Sequence, residues 1–298
     1  MKLIEKLNQF RFNRAVKAID KTPPLRLTDG HSLTVLSMVQ HRDVLRYLLA
    51  LKSLARFLMP DKVVLVADPT LNARDREILQ RHVPGIFIRD ASEFHRPNLP
   101  VGGTWERLCA ISEYVADAYV VQLDADTVTL EAVSDVVSAI QAKESFVLGT
   151  NDNQDFSSCQ AAAQWARQQV TEHVQNRAEV VLDQLDITGV TRYVRGCSGF
   201  SGFAQCSFDT PRLEQISRRM SALLGQVWSE WGTEQFTSNL IVANSPRARV
   251  LPHPKYCMPS VRRDDTVFIH FIGYERYLSG LYAKLAGEIA SSLQIAER

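Results

Sequence analysis

Cysteine is scarce in this sequence and is absent from the spacings that metal and redox sites use. The five cysteines occur singly, and no two of them form a CxxC pair. An odd number of dispersed cysteines is not typical of a disulfide framework, and zinc sites need closely spaced pairs. We therefore expect reduced thiols and interpret the chain as a cytoplasmic protein.

The sequence also lacks an excess charge of either sign and a long apolar run. It has 34 Lys and Arg residues against 33 Asp and Glu residues, a net charge of +1, so no overall field favours nucleic acid. No apolar stretch reaches the length of a transmembrane helix, and the N-terminus lacks the apolar region of a signal peptide. These absences exclude nucleic-acid-binding and membrane-spanning proteins.

Apolar runs suited to strands alternate with helical patterns along the chain. Strands are expected at 32–40, 62–67, 85–88, 119–123, 145–148, 249–252 and 266–271. Helices are expected at 44–58, 71–81, 131–142, 160–185, 211–225, 234–243 and 274–296, and another begins at 104; the polar helix at 160–185 is expected on the surface. This alternation predicts an α/β fold with a mostly parallel, Rossmann-like central sheet flanked by helices, in a single domain.

A basic helical extension at residues 1–24 precedes this domain. Three apolar residues could share a helix face among four cations: Leu3, Leu7 and Phe10, with Lys2, Lys6, Arg11 and Arg14 around them. Peripheral contact with a membrane is one interpretation of this pattern. We expect the simpler alternative, a helix that packs on the body of the protein.

The most informative stretch is 104–130. A helix that carries Arg107 leads into the apolar strand at 119–123, which ends in Asp124-Ala125-Asp126. Ligands bind beyond the carboxyl ends of strands in open α/β sheets, and alternate strand residues share a face. Two neighbouring carboxylates repel each other unless a cation compensates them. A hard divalent cation suits such oxygen ligands and can also bridge phosphate oxygens.

This stretch resembles the nucleotide-sugar half of the GT-A fold glycosyltransferases and is closest to glycosyltransferase family 8. The likeness rests on Thr104-Trp105-Glu106-Arg107-Leu108, the helix that follows, and VVQLDADTV with its D-x-D motif. It implies that Asp126 ligates a metal and that Asp124 contacts both the metal and the donor ribose. It also implies that Arg107 and Ala125 contact the donor.

A later segment, GCSGFSGF at 196–203, is similar to the F-N-x-G segment that lines the sugar pocket of the family. The resemblance implies that Gly199, Ser201 and Gly202 contact the donor. The asparagine of the family motif is absent from this chain, which leaves the sugar specificity open.

The segment His270-Phe271-Ile272-Gly273 looks like the H-[FY]-x-G motif of the family. The resemblance implies that His270 is the third metal ligand and that Gly273 lies at the donor. The K-P-W that follows in the family is replaced by Glu275-Arg276-Tyr277, so Arg276 could take the place of a lysine that contacts the diphosphate.

The segment at 231–236 occupies the place of an acidic motif of the family, and Glu234 is our candidate for the catalytic carboxylate. It would act as a base on the acceptor hydroxyl or anchor the acceptor. Alternatively, Thr233 caps the helix and Glu234 only stabilises its first turn. Asp152 and Asp155 are further candidates for the same task.

The resemblance implies a metal-dependent hexosyltransferase that moves a sugar from a nucleoside-diphosphate sugar, a UDP-sugar above all, to a hydroxyl of a glycan, lipid-linked or protein acceptor. Mn²⁺ or Mg²⁺ would be the cofactor, and the anomeric configuration would be retained. The glycosyltransferase domain would span 25–298, with a donor-binding half at about 30–150, an acceptor half at about 151–275 and a C-terminal helix at 274–296.

Two other functions stay open on the sequence. Asp124-Ala125-Asp126-Thr127-Val128 also fits the first motif of haloacid-dehalogenase-type phosphatases, with Asp124 as nucleophile, Asp126 as general acid/base and Asp264-Asp265 as the acidic metal motif. That nucleophile normally lies on the first strand, whereas three expected strands precede Asp124. The second alternative is a non-catalytic domain that only binds a nucleotide sugar.

Overall fold

The computed structural model describes residues 3–30, 32–151 and 153–295. In this part of the chain the α-helices are α1 (Leu3–Ala15), α2 (Val44–Ala55), α3 (Ala73–His82), α4 (Trp105–Tyr114), α5 (Ser134–Gln141), α6 (Cys159–Arg167), α7 (Val174–Glu179), α8 (Thr210–Leu224), α9 (Thr233–Ala243) and α10 (Leu281–Ile295). The strands are β1 (Leu33–Val39), β2 (Lys62–Ala67), β3 (Phe87–Asp90), β4 (Tyr119–Leu123), β5 (Thr127–Thr129), β6 (Ser145–Leu148), β7 (Ser157–Ser158), β8 (Arg192–Tyr193), β9 (Cys197–Phe203), β10 (Ala248–Leu251), β11 (Tyr256–Cys257) and β12 (Phe268–His270).

The strands of the described residues form sheets of seven, three and two strands. Internal contacts divide the chain into two compact units. The first unit is formed by Met1–Arg89, Leu123–Ser134 and Pro254–Arg298, and the second by Asp90–Gln122 and Asp135–His253. The predicted fold class, a mostly parallel α/β sheet flanked by helices, is confirmed, whereas the predicted domain boundaries stay predictions.

The first unit is built on the parallel strands β1 and β2. Their residues are apolar almost throughout, as in strands covered on both faces, and they pair in register from Thr34–Lys62 to Val39–Ala67. Helix α2 buries ten of its twelve residues, so it is enclosed on all sides. The small sheet of β11, β12 and β5 also belongs to this unit, and its β12 runs antiparallel to β5.

The second unit contains β10, β6, β9 and β4, which lie in that order in the large sheet. β10 runs parallel to β6, whereas β9 runs antiparallel to it. Helix α9 is buried at every residue except Gln235. Polar groups on such a helix need partners within the protein, because unpaired burial is costly.

Strands with continuous apolar runs were predictable almost to the residue. The bounds of β2, β4 and β6 match the expected ranges, whereas β9 lies in the small-residue segment for which no strand is expected. The prediction of a single long helix at 160–185 is wrong. Two helices, α6 and α7, occupy this region, and α7 is largely buried rather than on the surface.

The expected helix at 274–296 begins later than predicted, at Leu281, and its predicted last residue, 296, lies outside the described residues. Residues 274–280 form turns whose side chains make specific contacts. Both carboxylate oxygens of Glu275 accept hydrogen bonds from Ser260, at 2.8 and 2.9 Å. These contacts favour a turn over a helical start.

The N-terminal helix α1 forms as predicted and packs on the first unit. Phe12 stacks on Tyr282 of α10 with ring centroids 4.0 Å apart, and Asn8 donates a hydrogen bond to the carbonyl of Tyr277 at 3.1 Å. The apolar face named from the sequence does not make this contact. Leu3, Leu7 and Phe10 are 83%, 47% and 66% exposed. None of the helices in the described part of the chain combines the length and the apolar character that a bilayer crossing requires.

Candidate metal centre

The two carboxylates of the D-x-D motif lie in a turn and not on a strand. β4 ends at Leu123, residues 125 and 126 form a turn, and β5 begins at Thr127. The Thr127 hydroxyl donates a hydrogen bond to the Asp124 carbonyl at 2.9 Å, which closes the turn. The expectation that strand alternation aligns Asp124 and Asp126 is therefore wrong, and the turn places them instead.

Strand pairing brings His270 to this turn. His270 is the last residue of β12 and lies opposite Thr127 of β5. The amide of Phe271 also donates a hydrogen bond to the Asp126 carbonyl at 2.8 Å. The pairing between β12 and β5 therefore fixes the imidazole beside the D-x-D turn.

One ligand atom from each of Asp124, Asp126 and His270 lies within 4.8 Å of the others. His270 Nε2 is 3.1 Å from Asp126 Oδ1 and 3.8 Å from Asp124 Oδ2. Among the described residues, these three form the only cluster of His, Cys, Asp and Glu with this geometry. All three residues named from the sequence as metal ligands are therefore together.

Arg276 completes the cluster from the turn after β12. Its guanidinium Nη2 donates to Asp126 Oδ2, and its Nε donates to the Phe271 carbonyl at 3.3 Å. The structure thus places Arg276 on a carboxylate of the cluster, a contact that the sequence did not indicate.

Asp126 is ionised in this setting. Burial raises the pKa of its carboxyl, but the adjacent His270 and Arg276 lower the pKa by charge and by hydrogen bonds, so that it lies well below its usual range. Burial likewise opposes the charge of Arg276, yet Asp126 raises the pKa of the guanidinium above its usual value. The two cationic neighbours thus favour the ionised form of Asp126, which is the form that a metal ligand needs.

The cluster fits a divalent cation by the chemistry of its donor atoms. Two carboxylates and one imidazole suit Mn²⁺ and Mg²⁺, of which Mn²⁺ accepts nitrogen more readily. Asp124 and Asp126 carry two negative charges, and Arg276 compensates one of them. The remaining negative charge favours the binding of a further cation by the ligand atoms of Asp124, Asp126 and His270, which lie close to one another.

Arg107 and Glu234 form a buried ion pair in the second unit. Arg107 Nη2 lies 3.1 Å from Glu234 Oε2, and the two side chains are 5% and 3% exposed. Thr104 donates a hydrogen bond to the same carboxylate oxygen at 3.1 Å. Glu234 Oε2 is therefore bound by Arg107 and by Thr104, the residue that precedes α4. Stabilisation of the first turn of α9 alone does not account for these contacts.

A buried polar network next to Glu234 was missed from the sequence. Gln235 donates a hydrogen bond to Gln175 Oε1 at 2.8 Å, and Gln175 donates one to the hydroxyl of Tyr193 at 3.2 Å. Tyr193 in turn donates a hydrogen bond to Glu179 at 2.9 Å, and Arg195 forms an ion pair with Glu179. The spacing of four between Gln175 and Glu179 was a usable signal, because it puts both on one side of α7.

Two glycines of the segment at 196–203 are explained by close packing against β6. Gly202 lies opposite Phe146 of β6, and a Cβ at Gly202 would overlap the Phe146 ring. A Cβ at Gly196 would lie 2.6 Å from Val147 and 2.7 Å from the carbonyl of Leu148. The implied donor contacts of Gly199, Ser201 and Gly202 stay predictions, since packing alone accounts for glycine at 202.

The other residues named from the sequence are dispersed. Ala125 is half-buried between the carboxylates, and Gly273 is exposed, with open space where a Cβ would lie. Asp155 is exposed, and Asp152 lies outside the described residues. The exposed Asp264 and Asp265 are not part of the cluster, which removes the acidic metal motif expected for a phosphatase.

No protein-family model matches the sequence, and no curated protein matches it. Solved structures do match the fold. The bifunctional glycosyltransferase WbbM aligns over 91% of this chain with a TM-score of 0.53 and 11% identity, and this chain spans 53% of its length. The galactosyltransferase LgtC, solved with donor and acceptor sugar analogues, aligns over 87% of this chain and 95% of its own, with a TM-score of 0.50 and 12% identity. At such identities the likeness concerns the fold, and the fold of this chain is that of the GT-A glycosyltransferases.

Proposed function

We propose that this protein is a metal-dependent glycosyltransferase that moves a sugar from a nucleoside-diphosphate sugar to an acceptor hydroxyl. The observation that carries the proposal is the cluster of Asp124, Asp126 and His270 in a chain with the GT-A fold. The LgtC structure contains donor and acceptor sugar analogues, which makes a nucleotide sugar the first donor class to test. A UDP-sugar donor and membership of glycosyltransferase family 8 belong to the same proposal.

Asp124, Asp126 and His270 would hold Mn²⁺ or Mg²⁺. A cation at this position would supply positive charge to the departing nucleoside diphosphate. His270 and Arg276 both lower the pKa of Asp126 and orient its carboxylate, so that one oxygen faces His270 and the other faces the guanidinium. A cation bound here would replace the hydrogen bond between His270 Nε2 and Asp126 Oδ1 with two metal–ligand bonds.

Arg107 is proposed to contact the donor, and Glu234 has two alternative roles. The sequence made it the catalytic carboxylate near the acceptor. Its observed contacts favour a positioning role, because one carboxylate oxygen is held by both Arg107 and Thr104 and the side chain is almost fully buried. In this role Glu234 fixes the guanidinium of Arg107 and does not itself remove a proton.

The experiment that tests the proposal compares Asp126→Asn with the wild type. Release of nucleoside diphosphate is measured over a panel of nucleotide sugars with Mn²⁺, with Mg²⁺ and with excess chelator. We expect the wild type to lose activity in chelator, and Asp126→Asn to lose at least about 100-fold, since charge stabilisation by a bound metal is worth several kcal/mol. Asp264→Asn, an exposed carboxylate of the same unit outside the cluster, is the control and should keep full activity.

Each contrary outcome has a distinct meaning. Full activity of Asp126→Asn in chelator would refute the metal mechanism. Release of inorganic phosphate from phosphomonoesters would favour a phosphatase. Nucleotide sugars could also stabilise the protein in a metal-dependent way in a thermal-shift assay, with no turnover on any acceptor. This result would identify a domain that only binds nucleotide sugars and would refute catalysis.

A further inference from the structure

Four of the five large apolar residues of helix α1 are exposed, and only Phe12 packs inward. Leu3, Leu7 and Phe10 follow one another at spacings of four and three, which places them along one helix face. All three are exposed, together with Ile4 at the same end of the helix. A helix that only packs on a protein normally shows the opposite arrangement, with its apolar stripe inward.

The inward face of α1 is already complete without these residues. It consists of Asn8 and Phe12, which contact Tyr277 and Tyr282. Val16 and Ile19, in the turns after α1, are buried as well. The outward apolar face is not needed for these contacts, and its exposure costs free energy unless something covers it.

The charges around the outward face are all positive. Lys6, Arg11 and Arg14 are exposed beside Leu3, Leu7 and Phe10. Within the described part of the chain none of these three cations makes an ion pair with an Asp or Glu. The only acidic residue of α1, Glu5, lies towards the packed side and is half-buried. The outward face is thus both apolar and cationic.

We propose that the outward face of α1, formed by Leu3, Leu7, Phe10, Lys6, Arg11 and Arg14, binds the surface of an anionic lipid bilayer. The apolar side chains would enter the boundary between headgroups and acyl chains, and the cations would lie at the lipid phosphates. Long cationic side chains can reach the headgroups from beside an apolar stripe. A second protein copy suits this face less well, because two such faces would bring six cations together.

The test measures co-sedimentation of the full chain with vesicles. Wild-type protein should bind mixed phosphatidylcholine–phosphatidylglycerol vesicles, should bind pure phosphatidylcholine vesicles much more weakly, and should dissociate at high salt. Replacing Lys6, Arg11 and Arg14 with Gln should lower the partition coefficient by about 100-fold, since each cation contributes about fivefold. The pair Leu7→Ser and Phe10→Ser should lower it by at least about 20-fold, because apolar surface then stays in water.

Matched controls separate this face from general surface effects. Val101→Ser with Val170→Ser removes two exposed apolar side chains elsewhere, and Arg26→Gln, Arg262→Gln and Arg263→Gln remove three exposed cations. Both control variants should bind vesicles as the wild type does, and circular dichroism should show that all variants fold. The proposal would be overturned if the wild-type protein did not bind anionic vesicles, or if the α1 variants bound them with the partition coefficient of the wild type. A concentration-dependent dimer that disappears in Leu7→Ser with Phe10→Ser, without vesicle binding, would assign the face to a second copy instead.

Discussion

Replacing Glu234 with alanine should strongly destabilise the protein. The variant removes the carboxylate that lies 3.1 Å from the Arg107 guanidinium, a side chain that is only 5% exposed, and it removes one of the two acceptors next to the Thr104 hydroxyl. Breaking a buried ion pair from one side costs about 3–5 kcal/mol, because the remaining buried charge loses compensation for its desolvation. We therefore expect the free energy of unfolding to fall by about that amount.

Urea unfolding followed by circular dichroism measures this loss. The control is Glu230→Ala, which breaks the pair between Arg177 and Glu230 in the same unit; these side chains are 37% and 50% exposed. An exposed pair contributes only about 0–1 kcal/mol, because water screens it. The double variant Arg107→Met with Glu234→Met should be more stable than Glu234→Ala, since it removes both charges of the pair and not only one. A loss for Glu234→Ala no larger than that for Glu230→Ala would refute the assignment of Glu234 as the buried partner of Arg107.

Two further predictions concern the packing of the fold. Gly202→Ala places a methyl group against Phe146 and should lower the free energy of unfolding by about 1–3 kcal/mol. Gly287→Ala meets open space within α10 and should raise the free energy of unfolding by about 0.5–1 kcal/mol. Thermal unfolding measures both variants, and an unchanged stability of Gly202→Ala would contradict the packing argument. Burial and the nearby Lys52 lower the pKa of His82 below 6.5, so the unfolded chain takes up this proton more readily and stability should decrease as the pH falls below 6.5. His82→Gln should flatten this dependence in urea titrations between pH 7 and 5, and an unchanged slope would exclude His82 as its source.

The sequence predicted those parts of the fold in which local pattern and burial agree. β2, β4 and β6 are continuous apolar runs, and such runs define buried strands by themselves. β9 was missed because glycine has low strand propensity, and the neighbouring Phe146 and Tyr119 explain why glycine is needed at position 202. The polar residues of α7 indicated a surface helix, but their partners are other polar side chains that lie far away in the sequence.

The candidate site was predictable for the three residues of its cluster and not for what surrounds them. Asp124, Asp126 and His270 belong to short motifs that can be recognised from a few letters. The contact between Arg276 and Asp126 and the pair of Arg107 with Glu234 each join residues more than a hundred positions apart. Such contacts depend on the tertiary fold, and a single sequence carries no local signal for them.

The pairing of β12 with β5 also sets the time at which the proposed cation site can form. Asp126 and His270 are 144 positions apart, and β12 must dock beside β5 before the imidazole reaches the carboxylates. Contacts of such long sequence separation form late in folding, because a large loop has to close first. A growing chain on the ribosome therefore carries an incomplete site until β12 has emerged. Early cation capture during synthesis would have to rely on Asp124 and Asp126 alone.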